Sequence, residues 1–240
     1  EMCNNNGYCR KLDIGSMCPS YRVTRDEQHL TRGRANTLRL ALSDQLGPDA
    51  LTGKEMYAAM DLCVGCKACK RECPTGVDMA RMKVEFLAHY KQRHGHTFRD
   101  RLVATLPAYA AIASRFSWLL NMRDALPGAA WLSEKLLGFS SRRPLPKWQV
   151  QTFWRAHDAS LFASAETTVA AAANGGKAAV LFVDTFNGTF ESENALAAAR
   201  VLRAAGYTLH TLTRRAGHYC CGRTYLSTGM VGKAKGAVRE

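Results

Sequence analysis

The sequence predicts a mainly α fold that ends in an α/β part. Up to about residue 160, cysteine-rich loops lie between segments with the apolar spacing of helices. Two short apolar runs, residues 178–184 and 207–213, then flank an amphipathic segment, which is the pattern of a βαβ unit with parallel strands. We therefore expect three parts, bounded at residues 1–96, 97–160 and 161–240.

Three helices are expected around the cysteine loops, at about residues 24–47, 53–62 and 78–93. Thr52 is the predicted N-cap of the second helix. Gly33 lies inside the first helix, where a glycine costs about 1 kcal/mol relative to alanine. We therefore expect another backbone or a bound group to approach Gly33 closely.

The middle part, residues 97–160, is predicted to be a connector of two or three helices. It ends in a basic, proline-containing linker over residues 140–148. In the last part, neither apolar run is followed by a GxGxxG or GxxxxGK[ST] loop, so dinucleotide or triphosphate binding is not expected there.

The composition favours metal binding over disulfide bonds. The nine cysteines are odd in number and cluster in CxxC and CC units, which is typical of metal sites in a reducing compartment. The net charge of +13 raises the question of nucleic-acid binding, but the basic excess is spread along the chain, so no nucleic acid is expected as a partner. A basic surface also suits an anionic cluster or an acidic partner, and most of these charges are expected to be ordinary solvated surface.

No targeting or membrane-spanning segment is evident in the sequence. The longest apolar stretch, residues 106–120, is interrupted by Arg115 and is too short to span a bilayer. We expect a cytoplasmic protein, with at most peripheral contact at the inner face of a membrane. Glu1 and Glu240 look like cuts through a longer polypeptide, so part of the machinery is expected outside this sequence.

The segment CVGCKACKRECP, residues 63–74, carries the strongest chemical signal. Three cysteines at short intervals, then a fourth followed by proline, form the spacing that wraps an iron–sulfur cluster. A zinc knuckle or a disulfide pair is the weaker interpretation, because zinc sites usually take their ligands as separated pairs. A [4Fe–4S] cluster is therefore expected here.

The first twenty residues are a degenerate copy of this motif. Cys3, Asn6 and Cys9 take the first three positions, and Cys18 with the proline after it takes the fourth, with an insertion before it. In two-cluster ferredoxins the fourth cysteine of each motif binds the other cluster. The sequence therefore predicts an α-helical ferredoxin domain over residues 1–96 whose two motifs exchange ligands.

This exchange divides the cysteines into two sets. The first cysteine set, expected to hold a complete [4Fe–4S] cluster, consists of Cys18, Cys63, Cys66 and Cys69. The second cysteine set consists of Cys3, Cys9 and Cys73, with Asn6 at the position of the missing ligand. The second site has three options: a [3Fe–4S] cluster, a [4Fe–4S] cluster with a non-cysteine ligand, or no cluster.

A last cysteine pair stands in HYCCGRTYLSTGM, residues 218–230. Cys220 and Cys221 follow a predicted strand and precede a helix, so they are further candidates for metal ligands at a strand's carboxyl end. The ordinary alternative is a buried pair of small apolar residues.

Residues 9–35, 63–79 and 220–230 together resemble the iron–sulfur portion of large FAD-linked dehydrogenases of D-2-hydroxy acids. That family is of the D-lactate and D-2-hydroxyglutarate dehydrogenase type, and related modules occur in the glycolate oxidase iron–sulfur subunit and in CCG-domain proteins. The resemblance implies that residues 161–240 begin a CCG domain that is incomplete at its C-terminus. It also implies an FAD on a domain or subunit outside this chain, which passes electrons to the clusters and on to a quinone, a cytochrome or another acceptor.

We therefore predict part of an oxidoreductase that carries electron transfer rather than substrate oxidation, with no catalytic residue assigned. Two alternatives stay open. One is a heterodisulfide-reductase-like subunit acting on thiols or quinones, in which Cys220 and Cys221 bind a cluster of their own. The other is a non-enzymatic iron–sulfur scaffold that binds nucleic acid.

Overall fold

The computed structural model describes residues 3–156, 159–212 and 219–239. The chain is mostly helical, with 61% helix and 3% strand, which confirms the mainly α prediction. It divides into two compact units. The first unit comprises Glu1–His96 with Leu226–Val231, and the second comprises Thr97–Tyr225 with Gly232–Glu240.

The first unit carries the cysteine loops between short helices. Its α-helices are α1 Pro19–Thr24, α2 Thr31–Leu42, α3 Lys54–Asp61, α4 Ala68–Glu72 and α5 Met79–His94. Single 3₁₀ turns lie at Tyr8–Arg10, Glu27–His29 and Ala50–Thr52.

The core of the first unit packs directly against the cysteines. Leu30, Met60 and Val77 are fully buried, and Cys18 and Cys69 belong to the same buried cluster. Each large apolar side chain buried in this way contributes about 1.5–3 kcal/mol. The cysteine loops are therefore held by a packed core rather than by a free surface turn.

Helix α2 begins later than the apolar spacing predicts. The chain turns at Arg25, which has a φ of +58°, and the Asp26 side chain accepts a hydrogen bond from the Gln28 N–H, so a 3₁₀ turn replaces the expected first helical turns. Helix α3 also differs, because Gly53 and not Thr52 occupies its N-cap. The Asp26 side chain competes for a backbone N–H, and this competition shortens α2.

Gly33 makes the close approach that its position predicts. A Cβ atom at this residue would lie 2.0 Å from the backbone oxygen of Glu27. Only glycine therefore allows the first turn of α2 to lie against the preceding 3₁₀ turn.

Residues 97–160 contain more helices than the two or three predicted for the connector. In chain order, the helices after residue 97 are α6 Phe98–Ala104, α7 Leu106–Ala113, α8 Ser117–Ala125, α9 Ala129–Leu137, α10 Phe153–Ala156, α11 Ala165–Ala173, α12 Thr185–Thr189, α13 Ser192–Ala204, α14 Arg223–Ser227 and α15 Val231–Arg239. Further 3₁₀ turns lie at Ser114–Phe116 and Ala159–Leu161. The predicted linker, residues 140–148, contains neither helix nor strand.

The predicted βαβ unit is present. Strands β1 Ala178–Leu181 and β2 Thr208–Thr211 pair in parallel, with Ala178 opposite Thr208, and α12 and α13 lie between them in the chain. Both strands are shorter than predicted, and Thr213 lies outside the described residues. The first apolar run, residues 178–184, is suited to a buried strand, but Val180 is 56% exposed, because a sheet of two strands covers little of its own surface.

Across the part of the chain that the structure describes, every helix is too short or too polar to cross a lipid bilayer.

Candidate iron–sulfur site

The loop from Cys63 to Cys69 curls through two left-handed residues. Gly65 has a φ of +63° and Lys67 a φ of +61°. Glycine adopts this conformation freely, whereas a residue such as lysine bears a cost of about 1–2 kcal/mol. Lys67 is also the N-cap of α4, the helix that carries Cys69. The two reversals let successive cysteines of a short loop face the same space.

Cys18 reaches this region from the N-terminal motif. It has a φ of +52°, directly before α1. Its sulfur accepts a hydrogen bond from the Thr31 N–H at 3.1 Å and lies 3.1 Å from the Thr31 hydroxyl oxygen. Thr31 is the first residue of α2, so its N–H is one of the donors that a helix start leaves unsatisfied. The helix start therefore fixes the position of this sulfur.

The four cysteines of the first cysteine set line one cavity. The cavity has about 320 Å³ of empty space, part of it open to solvent, and is lined by Cys18, Pro19, Ser20, Thr31, Arg34, Cys63, Val64, Gly65, Cys66, Lys67, Cys69, Met79 and Ala80. Cys18 and Cys69 are buried, Cys63 is half-buried and Cys66 is exposed. Cysteines from both sequence motifs thus meet at one place, although residues 18 and 63 are far apart in the chain.

This donor set fits an iron–sulfur cluster. In residues 3–156, 159–212 and 219–239, no three His, Cys, Asp or Glu side chains converge on the position of a single metal ion. A [4Fe–4S] cluster needs a different arrangement, because its four thiolates bind separate irons. Four cysteines around one cavity provide that arrangement.

Burial controls the protonation of the buried thiols. It raises the pKa of Cys18, and the hydrogen bonds from Thr31 offset only part of this rise. Burial also raises the pKa of Cys69, the N–H groups of Met79 and Ala80 oppose the rise, and the neighbouring Cys63 and Cys18 add to it. Metal ligation requires thiolates, so loading this site releases protons and becomes less favourable as the pH falls.

Lys83 secures the start of the cysteine loop from α5. Its ammonium group donates hydrogen bonds to the backbone oxygens of Asp61 and Cys63, at 2.9 Å and 2.6 Å. Burial lowers the pKa of Lys83, while the charges of Cys63 and Asp61 oppose that change. The contact holds the backbone of the first loop cysteine against a helix of the same unit.

Glu72 ties the two motifs together. Its carboxylate accepts hydrogen bonds from the Ser16 N–H at 3.0 Å, the Ser16 hydroxyl at 2.8 Å and the Met17 N–H at 3.1 Å. Glu72 is the last residue of α4, whereas Ser16 and Met17 directly precede Cys18. The side chain therefore bridges more than fifty residues of sequence and holds the insertion next to the loop.

The second cysteine set is less closely assembled. Cys9 is buried and Cys3 and Cys73 are half-buried, and all three pack into the same core as the first set. Burial raises the pKa of Cys9, and the nearby Cys3 adds to this rise. In the described part of the chain, no hydrogen bond links Cys73 to Cys3 or Cys9, and none of the cavities described has all three in its lining.

Cys73 has donors of its own. Burial raises its pKa, but hydrogen bonds from the Thr75 side chain and from the N–H groups of Val77, Thr75 and Gly76 outweigh burial and lower the pKa overall. Its sulfur lies 3.3 Å from the Thr75 hydroxyl oxygen. The turn that follows Cys73 therefore favours the thiolate form of this side chain.

The Asn6 side chain takes part in a local turn, and none of its described hydrogen bonds is with a cysteine. Its side-chain oxygen accepts a hydrogen bond from the Tyr8 N–H at 2.9 Å, and its amide donates to the Asn4 side chain. This is the ordinary turn-forming use of asparagine. The side chain thus has partners of its own at the position of the missing ligand.

Cys220 and Cys221 lie in the second unit. Cys220 is half-buried and accepts a hydrogen bond from the Gly222 N–H at 3.3 Å, and Cys221 is exposed. The alternative of a buried pair of small apolar residues therefore does not fit Cys221. Among the described residues, no third potential ligand joins the two cysteines. His218, the first residue of this motif, lies outside the described residues.

Sequence reasoning did not identify four residues that contact the site: Thr31, Arg34, Glu72 and Lys83. They lie in or beside helices and have no characteristic spacing. Only the glycine at position 33, between Thr31 and Arg34, indicates that the start of α2 is crowded.

Comparisons with known proteins agree with this chemistry. Residues 1–77 match the family of the 4Fe-4S dicluster domain. The D-2-hydroxyglutarate dehydrogenase of Escherichia coli (strain K12) is 31% identical over 171 residues, which are 57% of this chain and 17% of that protein. The D-2-hydroxyglutarate dehydrogenase of Pseudomonas putida is 29% identical over 166 residues, which are 56% of this chain and 16% of that protein.

A shorter relative is also similar. The protein named "Probable glycolate oxidase iron-sulfur subunit" of Bacillus subtilis (strain 168) is 26% identical over 102 residues, 42% of this chain and 21% of that protein. No solved structure matches the chain. The chain spans about a sixth of the length of the dehydrogenases that it matches. Residues 1–77 therefore match the 4Fe-4S dicluster domain family, in a chain homologous to part of the D-2-hydroxyglutarate dehydrogenases and to a glycolate oxidase iron–sulfur subunit.

Proposed function

We propose that this chain is the electron-transfer module of a FAD-dependent 2-hydroxy-acid dehydrogenase of the D-lactate, D-2-hydroxyglutarate or glycolate class. The observation that carries the proposal is the cavity lined by Cys18, Cys63, Cys66 and Cys69 in a domain of the dicluster type. The names of the relatives supply the class of oxidoreductase. The module would pass electrons from a reduced flavin on a partner domain or subunit to an acceptor such as a quinone or a cytochrome.

A bound iron–sulfur cluster supplies one-electron redox chemistry, with a potential that the protein tunes through hydrogen bonds, charge and exposure. The first cysteine set would hold this cluster. The Thr31 N–H donates to the Cys18 sulfur, and the N–H groups of Met79 and Ala80 donate to the Cys69 sulfur. Such donors stabilise negative charge on sulfur, so they raise the reduction potential.

The second cysteine set would hold a second cluster, of the [3Fe–4S] or [4Fe–4S] type, with Asn6 at the missing ligand position. Cys9 accepts a hydrogen bond from the Arg32 N–H, and Cys73 has the donors of its following turn. Both contacts suit thiolates that bind metal. The ligand exchange between the motifs is the reason for assigning Cys73 to this site.

The rest of the chain would serve the partners. Residues 97–160 would connect the iron–sulfur domain to the beginning of a CCG domain at residues 161–240, where Cys220 and Cys221 are further candidate ligands. The site of hydroxy-acid oxidation would lie with the FAD, outside this chain. We expect the protein to work in the cytoplasm, with peripheral contact at the inner face of a membrane if the acceptor is a quinone.

Anaerobic reconstitution with iron and sulfide tests the proposal. We expect a brown protein that holds about four irons for each complete cluster and whose visible absorption bleaches with dithionite. Chemical analysis of iron, sulfide and zinc on natively purified protein is the matching measurement. Stoichiometric zinc without iron or sulfide would sink the idea.

A further inference from the structure

Arg34 is a buried cation in the wall of the first cysteine cavity. Arg34 is one of the residues that line that cavity together with all four cysteines of the first set, and its charge lies close enough to Cys18 to oppose the rise in the pKa of that thiol. The residue is only 2% exposed and is one of the largest fully buried side chains of the described chain. It lies near the start of α2, three residues after Thr31, whose N–H donates to the Cys18 sulfur.

The guanidinium has neutral hydrogen-bond partners. Its Nε donates to the backbone oxygen of Ala59 at 2.7 Å, and one terminal nitrogen donates to the Ser20 hydroxyl at 3.0 Å. These bonds orient the side chain between α1 and α3, beside Cys18. They satisfy part of its hydrogen-bonding capacity but leave its positive charge without compensation.

No carboxylate supplies that compensation within the described residues. The ion pairs described in the first unit include those of Arg10 and Arg32 with Glu27, of Lys70 with Asp78 and of Arg93 with Asp49, and none of these includes Arg34. A buried charge without a counter-charge is strongly unfavourable, and an arginine cannot lose its proton to escape the cost. The negative charge must therefore come from what the cavity holds.

We propose that Arg34 is the buried counter-charge of the first cluster, with its guanidinium fixed by Ala59 and Ser20 so that it faces the thiolates of Cys18, Cys63, Cys66 and Cys69. This inference rests on the proposed function. A cluster ligated by four thiolates is anionic and becomes more so on reduction. A fixed positive charge beside it favours the reduced state and raises the reduction potential. Arg34 is thus a positioning and tuning residue rather than a ligand.

The alternative is a purely structural role, in which the hydrogen bonds of Arg34 only hold α1, α2 and α3 together. The two roles predict different behaviour of neutral and charged substitutions. Arg34→Met and Arg34→Gln both remove the charge, and Gln keeps a donor toward the Ala59 oxygen. Arg34→Lys keeps the charge but loses the forked geometry. Arg39→Met is the matched control, because Arg39 is an exposed arginine on the same helix.

The experiment is an anaerobic redox titration of the reconstituted variants, with iron and sulfide counted on the same samples. We expect the neutral variants to shift the midpoint potential of the first cluster to more negative values by the equivalent of at least about a tenfold change in the reduction equilibrium, or about 59 mV for one electron. Arg34→Lys is expected to recover most of the wild-type potential, and Arg39→Met to leave it unchanged.

Each outcome decides the inference. Fully loaded neutral variants with the wild-type potential would overturn it while leaving the proposed function intact, whereas wild-type protein without iron would remove the proposed function itself. If neither neutral variant retains the first cluster, Arg34→Lys decides. Retention by the lysine variant supports a role for charge, and loss in the lysine variant as well shows that the hydrogen-bonded fork alone matters.

Discussion

The two cysteine sets share one residue type and lie in the same unit, but their surroundings differ. The first set surrounds one cavity and has a helix start, two backbone amides and a buried arginine beside it. The second set shares the core, but none of the cavities described above has all three of its cysteines in its lining, and Asn6 is engaged in a turn. The difference teaches that motif spacing alone does not build a cluster site. Donors from other elements, such as the Thr31 N–H beside Cys18, add what the spacing does not provide.

The largest test of this difference is the ligand exchange itself. We expect Cys18→Ser to lose most of the first cluster, about four irons per chain, whereas Cys73→Ser retains it, because Cys18 lines the cavity and Cys73 does not. Iron and sulfide analysis with visible spectra after reconstitution is the measurement. Arg39→Met, a substitution at an exposed residue of α2, is the control. The reverse order would mean one local cluster formed within residues 63–73.

A smaller effect is expected from restoring the missing ligand. Asn6→Cys should raise the iron retained by the second site by about one iron per chain, because it supplies the fourth thiolate of the motif. Asn5→Cys is the matched control, since it adds a thiol one residue away. Iron is counted after both variants are exposed to a chelator. Equal gains in the two variants would mean that the added thiol binds iron nonspecifically.

The smallest effect concerns the tether at Glu72. Hydrogen bonds from the Ser16 N–H and hydroxyl lower the pKa of this carboxyl, despite a small opposing effect of burial. The unfolded chain therefore binds the proton more readily, so the stabilisation is complete above the ordinary glutamate pKa of about 4.3. It is lost as the pH falls through the lowered pKa of the folded state.

Unfolding of the metal-free protein between pH 6 and pH 3 measures this contribution. We expect Glu72→Gln to be less stable than wild type at pH 6, with the difference shrinking as the pH falls below about 4.3. The effect is modest, because the carboxylate is exposed to solvent. Glu85→Gln, an exposed glutamate on α5, is the control. A difference between Glu72→Gln and wild type that grows toward acid pH would contradict the tether.

Spacing predicts the two cysteine sets, and periodicity made the parallel βαβ unit predictable. The start of α2 was not predictable, because Asp26 forms a local hydrogen bond that competes with the helix. The whole ligand set stays a prediction, since the cysteines are brought together by tertiary packing and the cluster itself is tested only by experiment.

The supporting residues were hidden for a related reason. Arg34 and Glu72 are charged residues on helices, and such residues usually lie on a solvated face. Glu72 is half-buried, and its role comes only from the folding of residues 16 and 17 against it. Arg34 is buried for reasons that no local pattern encodes, because its neighbours Ala59 and Ser20 come from other helices.

Cys66 marks the solvent-exposed side of the site. It is exposed, while Cys18 and Cys69 are buried on the opposite, core-facing side. The groove beside it contains Lys67, Lys70 and Arg71. Electron transfer is fastest over short distances, so a cluster in this site would exchange electrons with a partner near Cys66. The basic residues beside Cys66 would attract an acidic partner at low ionic strength. Dioxygen would also reach a cluster first at Cys66. The exposure that permits electron exchange would therefore also make the site sensitive to oxidation.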